Sequence, residues 1–212
     1  MPQKCPLCEA RKVKRFCPAK ASMICPVCCG EKREIEISCP ADCVYLQPGR
    51  DYEAERQAKR TPAPARTPRL WESSSLQRYY GITMSLWKIF SEGRNQFGEI
   101  VDVDVHEAIE ALLKTYRTLE SGIYYEHAPI APAAKSLYIA VKTYLDKAHQ
   151  ALDETIPRMK LSEILDCLQL QKELCESMTL PRPKSRAFLD HIHVNVSKAF
   201  PSEAPQSSII LP

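Results

Sequence analysis

The chain has 212 residues, 29 of them Lys or Arg and 26 Asp or Glu, for a formal charge of +3, and 44% of its residues are hydrophobic. This composition excludes fully disordered and fibrous classes and leaves enough apolar side chains for one or two small cores, while 17 Pro against 6 Gly point to rigid connectors. No stretch approaches the roughly 18 uninterrupted apolar residues of a spanning helix. Met1 to Lys12 carries cysteines and charges where a signal peptide has an apolar run, so a soluble, cytoplasmic protein with no membrane partner is expected.

Eight of the ten cysteines fall in the first 43 residues: Cys5, Cys8, Cys17, Cys25, Cys28, Cys29, Cys39 and Cys43. In a reducing compartment, thiols concentrated at one end of a chain act as metal ligands. Cys5-x2-Cys8 and Cys25-x2-Cys28 stand sixteen residues apart, within the spacing of a tetrahedral structural site. A C-x2-C turn lets two sulfurs converge on one ion while backbone N–H groups stabilise their charge, and Pro6 and Pro26 narrow each turn in advance. Cys39-Pro-Ala-Asp-Cys43 reads as a helix start whose two cysteines share a face.

Eight thiolates suffice for two four-coordinate Zn²⁺ sites, and the side chains of adjacent Cys28 and Cys29 diverge. The expected partition is Cys5, Cys8, Cys25 and Cys28 around one ion and Cys17, Cys29, Cys39 and Cys43 around the other. A crossed-brace pairing uses the same ligands in another order, and iron suits Cys-Pro-x-Cys turns as well. Lys12–Phe16 and Arg33–Ile37 are short enough to pair as a hairpin, with Ile35 and Ile37 on one face and Glu34 and Glu36 on the other. So small an apolar content cannot fold alone; metal binding, on the order of 10 kcal/mol per structural zinc, supplies the difference. No histidine lies between Met1 and Leu46, which argues for closed structural sites over catalytic ones.

On these residues the cluster resembles cross-braced, treble-clef-like zinc fingers of the HIT and MYND type, which implies recognition of proteins and not of bases. It departs from them in lacking a late histidine and in placing Lys20 where HIT fingers carry a cysteine. The run Ile24 to Arg33, followed by Cys39 to Leu46, also looks like the start of uncharacterised bacterial proteins that join such a cluster to a helical domain.

Residues 1–47 hold eight basic and five acidic side chains, and Arg11, Lys12, Lys14 and Arg15, with Lys32 and Arg33, form a candidate phosphate-contacting set. Two Zn²⁺ with eight thiolates would bring the loaded module to about −1, so these cations also offset thiolate charge. Residues 48–70 read as a linker, charged and helical over Arg50–Arg60, then a Pro-rich spacer over Thr61–Pro68 that holds two domains apart.

From residue 71 to 200 a helical period dominates. Ser73–Ser75 cap a first helix with Leu76, Tyr79, Tyr80, Thr83, Trp87 and Phe90 inward, weakened at Gly81. Asp104 caps a second with Val105, Ile109, Leu112, Tyr116, Leu119 and Ile123, ended by Gly122. Pro132 opens a third with Leu137, Val141, Leu145, Ala148 and Leu152, closed by Pro157. Ser162 begins a fourth with Leu165, Leu168, Cys175 and Met178, and Phe188, Leu189, Ile192, Val196 and Phe200 suggest a fifth, although His191–Val196 also fits a strand. Residues 201–212 read as a tail.

The predicted architecture is therefore mainly α: a small N-terminal Cys-rich zinc module joined to an all-α bundle of four to five helices. Neither Glu-x-x-His pairs nor a complete His-Glu-x-x-His motif occurs, Asp102, Asp104 and His106 read as helix capping, and Cys167 and Cys175 read as core. Tyr124, Tyr125, Glu126 and His127, at the exit of the second helix, form a candidate pocket. The function expected is a non-enzymatic adaptor with two structural zinc ions and a protein partner; the alternative is a nucleic-acid-binding regulator. Oligomeric state is not readable from the chain.

Overall fold

The computed structural model describes residues 3–60, 73–97, 100–156, 158–179 and 181–200. The spacer 61–68, the tail 201–212, Trp71 and Pro157 lie outside them, as do the side chains of Ser73 to Ser75 and Leu76. The described part is mainly helical, with two short strands.

Strands β1 (Arg15–Cys17) and β2 (Ser22–Ile24) pair antiparallel, Phe16 opposite Met23. A single 3-10 turn, Pro18–Lys20, joins them and closes on Ala21 in the left-handed region (φ 46°). The hairpin is thus local and not Lys12–Phe16 against Arg33–Ile37 as the alternation suggested. The reason lies at the end of α1 (Pro26–Lys32), where the carbonyl of Lys32 accepts from the N–H groups of Ile35, Glu36 and Ile37. That wraps 33–37 into a turn, with Glu34 at φ 52° and buried while Ile35 is exposed. Cys39 to Cys43 is likewise no helix start: Cys43 N–H donates to Pro40 O and Leu46 N–H to Cys43 O, two successive turns before α2 (Leu46–Arg60).

The bundle has five helices: α3 (Ser73–Phe97), α4 (Asp102–Glu120), α5 (Pro132–Gln150), α6 (Leu161–Met178) and α7 (Ala187–Ala199). Helix α3 runs unbroken through Gly81, beside which a Cβ would meet nothing. Helix α4 packs on α5 and α6, and α3 on α7 and α5. Val105, Ile109, Leu112 and Tyr116 meet Leu137, Val141, Leu145, Leu168 and Phe188 in one core. Ile123 and Leu152 fall just past their helix ends and are exposed, so the helical period was extended one turn too far at both sites. The 191–196 segment is helix, with Ile192 and Val196 inward.

Several polar groups inside the core are matched in pairs. Trp87 Nε1 donates to Gln171 Oε1 at 2.7 Å, Tyr116 OH to Asp146 Oδ1 at 2.8 Å, and Thr115 and Tyr138 share a hydroxyl bond of 3.1 Å. Asp102, fully buried, caps a helix other than its own: its carboxylate accepts from Phe188 N–H, Leu189 N–H and Ser185 Oγ at the start of α7. Burial pushes its carboxyl up from the ordinary range, opposed by those hydrogen bonds. Asp104 caps α4, accepting from Val101 N–H at 2.9 Å. Cys167 and Cys175 are core residues whose thiols burial pushes up to about 12.

Candidate metal centre

The first knuckle is a backbone loop tied by Cys5. Its N–H donates to Arg11 O, its carbonyl accepts from Cys8 and Glu9 N–H, and Glu9 turns the chain at φ 51°. The second is a helix start: Cys25 is the N-cap of α1, its Sγ accepts from Cys28 N–H at 3.3 Å, and Pro26 occupies the first helical turn. The hairpin between the knuckles returns the chain so that Cys25 N–H reaches Cys5 Sγ at 3.3 Å.

As a result the sulfurs of Cys5, Cys8, Cys25 and Cys28 all lie within 4.8 Å of one another, and those of Cys8 and Cys25 are 3.9 Å apart. A tetrahedral ion with Zn–S bonds of about 2.3 Å places neighbouring sulfurs about 3.8 Å apart, so the four lie within reach of one such ion. Three of the four side chains are buried and Cys8 is half-buried. The environment favours thiolates at one knuckle. N–H groups of Ala10 and Arg11 pull the Cys8 thiol down to about 6. Burial opposes ionisation of Cys5, but N–H groups of Cys25 and Leu7 override it. Cys28 is pushed up to about 12 by burial and by its neighbouring sulfurs, a repulsion that a divalent cation would reverse. Four thiolates complete a tetrahedron with no open position, the arrangement of a structural site.

Cys17, Cys29, Cys39 and Cys43 form no second group at that separation among the described residues. They do share the module's interior. Cys17 is buried and the others half-buried, and burial together with the charges of Cys43, Glu34 and Cys17 raises the Cys39 thiol. Arg15 donates to Cys29 Sγ at 3.5 Å and lies 4.6 Å over the ring of Tyr45.

The basic residues singled out in sequence differ in exposure. Arg11, Lys12 and Lys14 are exposed, Lys32 pairs with Glu36, Arg15 is half-buried, and Arg33 is buried. Arg11 is also held charged: burial opposes this, and the Cys8 and Cys25 thiolates outweigh it.

A polar seam joins module and bundle. Buried Glu34 receives Arg50 Nε and Nη2 on its carboxylate and Arg186 N–H beside them, while its backbone carbonyl accepts from Lys184 N–H at 2.8 Å. Arg50 continues to Asp190 Oδ2 at 2.8 Å. Arg182 makes a two-pronged bond to Glu53 and donates to Arg33 O. Sequence reading treated Glu34 as one solvent-facing acid of an alternating pair. Its left-handed φ and its partners 16 and more residues away carry no local signal, and only the capture of Lys32 O by three N–H groups creates the turn that buries it.

At the exit of α4, Tyr125, Glu126 and His127 line a shallow cavity of about 550 Å³ with His106, Glu110 and Lys114. Tyr125 and His127 meet edge to face at 4.7 Å, and Lys142 reaches Glu126 at 3.3 Å and the Tyr124 ring at 5.7 Å. The backbone N–H of His127 donates to Thr115 Oγ1, which pins the loop to the bundle. The Tyr124 hydroxyl donates to the Glu126 carboxylate, and both tyrosines stand mostly exposed at the helix exit.

Among the described residues no helix is long and apolar enough to cross a membrane. Compared with protein-family models, with curated proteins and with solved structures, the chain matches none.

Proposed function

We propose that this chain is a zinc-stabilised interaction protein, in which Cys5, Cys8, Cys25 and Cys28 hold a structural Zn²⁺ and the finger so fixed presents side chains to a protein partner. The observation that carries the reading is the closed four-sulfur shell, which suits a structural ion and leaves no position for a substrate or water. A second zinc on Cys17, Cys29, Cys39 and Cys43 is part of the proposal, supported by the nearness of Cys43 and Cys17 to Cys39, whose thiol their charges help to raise. The finger is of the HIT and MYND kind in mode of action, with the exposed Phe16 of β1 among the side chains offered. The bundle gives the finger a rigid mount, so a partner meets a surface whose ordering cost is already met.

Nucleic acid binding is the second reading, favoured by the exposed Arg11, Lys12 and Lys14. One titration separates the two. Zinc-loaded protein is mixed with short duplex DNA and with single-stranded RNA across a salt series. The adaptor reading expects only weak binding, insensitive to charge reversal at Arg11, Lys12 and Lys14. Tight binding at physiological salt that collapses as salt rises, and is flattened by that reversal, would replace it with the regulator.

A further inference from the structure

One arginine of the seam has no counter-charge. Arg33 and Arg50 are almost equally buried, at 6% and 7% exposure. Arg50 is satisfied by two carboxylates, whereas the Arg33 guanidinium makes no hydrogen bond or ion pair among the described residues. A buried, unpaired guanidinium is costly, and buried charges in proteins are normally matched. Arg33 borders an open cleft of about 790 Å³ between α1, the first turns of α2, Arg15, Tyr45 and Arg182. That size suits a small organic ligand.

Helix α2 is shaped around this side chain. A Cβ on Gly49 would lie 1.4 Å from Arg33 Nη1, so the guanidinium rests against bare helix backbone. Gly49 stands in the first turn of α2, where alanine would favour the helix by up to about 1 kcal/mol at the expense of the guanidinium's seat. The lining carries Arg15, Arg33, Arg56 and Arg182 against Glu31 and Glu53, a formal +2. Glu53 is already engaged by Arg182. A single carboxylate would leave half of that charge unmatched, whereas a phosphate monoester, with its second pKa near 6, carries close to two negative charges at neutral pH. Tyr45, one side of its ring covered by Arg15, and Tyr52 add aromatic side chains to the same walls.

We propose that this cavity binds a phosphate monoester attached to a flat organic body, of the nucleoside monophosphate class, with Arg33 as the principal anion ligand. The proposal is independent of the partner reading, since it concerns a small ligand in a cleft beside the finger.

The test uses the full zinc-loaded chain, with zinc content and far-UV circular dichroism recorded on every sample. Inorganic phosphate, adenosine monophosphate and adenosine are titrated by calorimetry. Saturable binding of the monophosphate is expected, weaker binding of phosphate, and none of adenosine. Arg33→Gln should weaken the monophosphate about tenfold or more, the scale of a lost charge-assisted bond. Gly49→Ala should do the same by displacing the guanidinium while strengthening the helix, so the test survives if Arg33→Gln fails to fold. Charge reversal at the exposed Lys12 and Lys14 should change affinity less than about twofold. Monophosphate affinity equal in wild type and Gly49→Ala, or no binding of either phosphate compound, would overturn the proposal.

Discussion

The module and the bundle hold the same chain folded by opposite means. In the bundle, side chains such as Phe90, Leu112, Tyr116 and Phe188 are withdrawn from water, each large apolar group contributing about 1.5–3 kcal/mol. Between residues 3 and 45 the buried apolar side chains, cysteines aside, are Ile24 and Ile37. Two aliphatic residues cannot offset the ordering of forty, so on the proposed reading the sulfur cluster is the core of that region and coordination supplies its energy. The bundle should therefore tolerate loss of metal, and the module should not.

The largest effect follows directly. Chelation under reductant, or Cys25→Ser, should unfold the module, since on the order of 10 kcal/mol of coordination is lost. The bundle helices should persist, seen as far-UV circular dichroism that falls only modestly while proteolysis opens within residues 1–45. Global unfolding on chelation would show that the two regions are one cooperative unit.

Next in size is the seam. Glu34→Ala leaves Arg50 with Asp190 alone in a buried site, and removing one member of a buried pair costs about 3–5 kcal/mol. The expected result is retained zinc with increased hydrogen exchange along the start of α2 and the 182–186 loop. Leu112→Ala should cost a comparable 2–5 kcal/mol, but in the bundle only, lowering its melting temperature without altering metal content.

The smallest effect concerns Asp102. Because burial holds its carboxyl above the unfolded value of 3.8, the folded state binds the proton more tightly. Its contribution to stability is therefore fully present below pH 3.8 and declines as pH rises through the folded value. Asp102→Asn should flatten that part of the stability profile in urea titrations from pH 3 to 7; an unchanged slope would assign the pH dependence to other groups.

These differences explain what could be read in advance. Amphipathic periodicity is a local signal, so the five bundle helices, and stripes such as Val105, Ile109, Leu112 and Tyr116, were visible in sequence. Errors arose at ends, where Ile123 and Leu152 continue the period after the backbone has left the helix, and at Tyr80, expected inward but exposed in the middle of α3 beside the buried Tyr79. In the metal centre the C-x2-C spacing was legible because knuckle geometry is local, and it brought forward the four cysteines whose sulfurs converge. The hairpin, the 33–37 turn and the buried roles of Glu34 and Arg33 depend on tertiary contacts and on left-handed backbone at non-glycine residues, which no pattern in the residue types announces.

Metal content is the most direct measurement of the central claim. Protein purified under reductant without added metal should carry zinc, two per chain if the second set of cysteines is loaded. Ser at Cys5 or Cys25 should remove the ion at the first centre, while Cys167→Ser and Cys175→Ser should leave the zinc content unchanged. A metal-free preparation with an ordered module, or zinc undiminished in Cys25→Ser, would contradict the account.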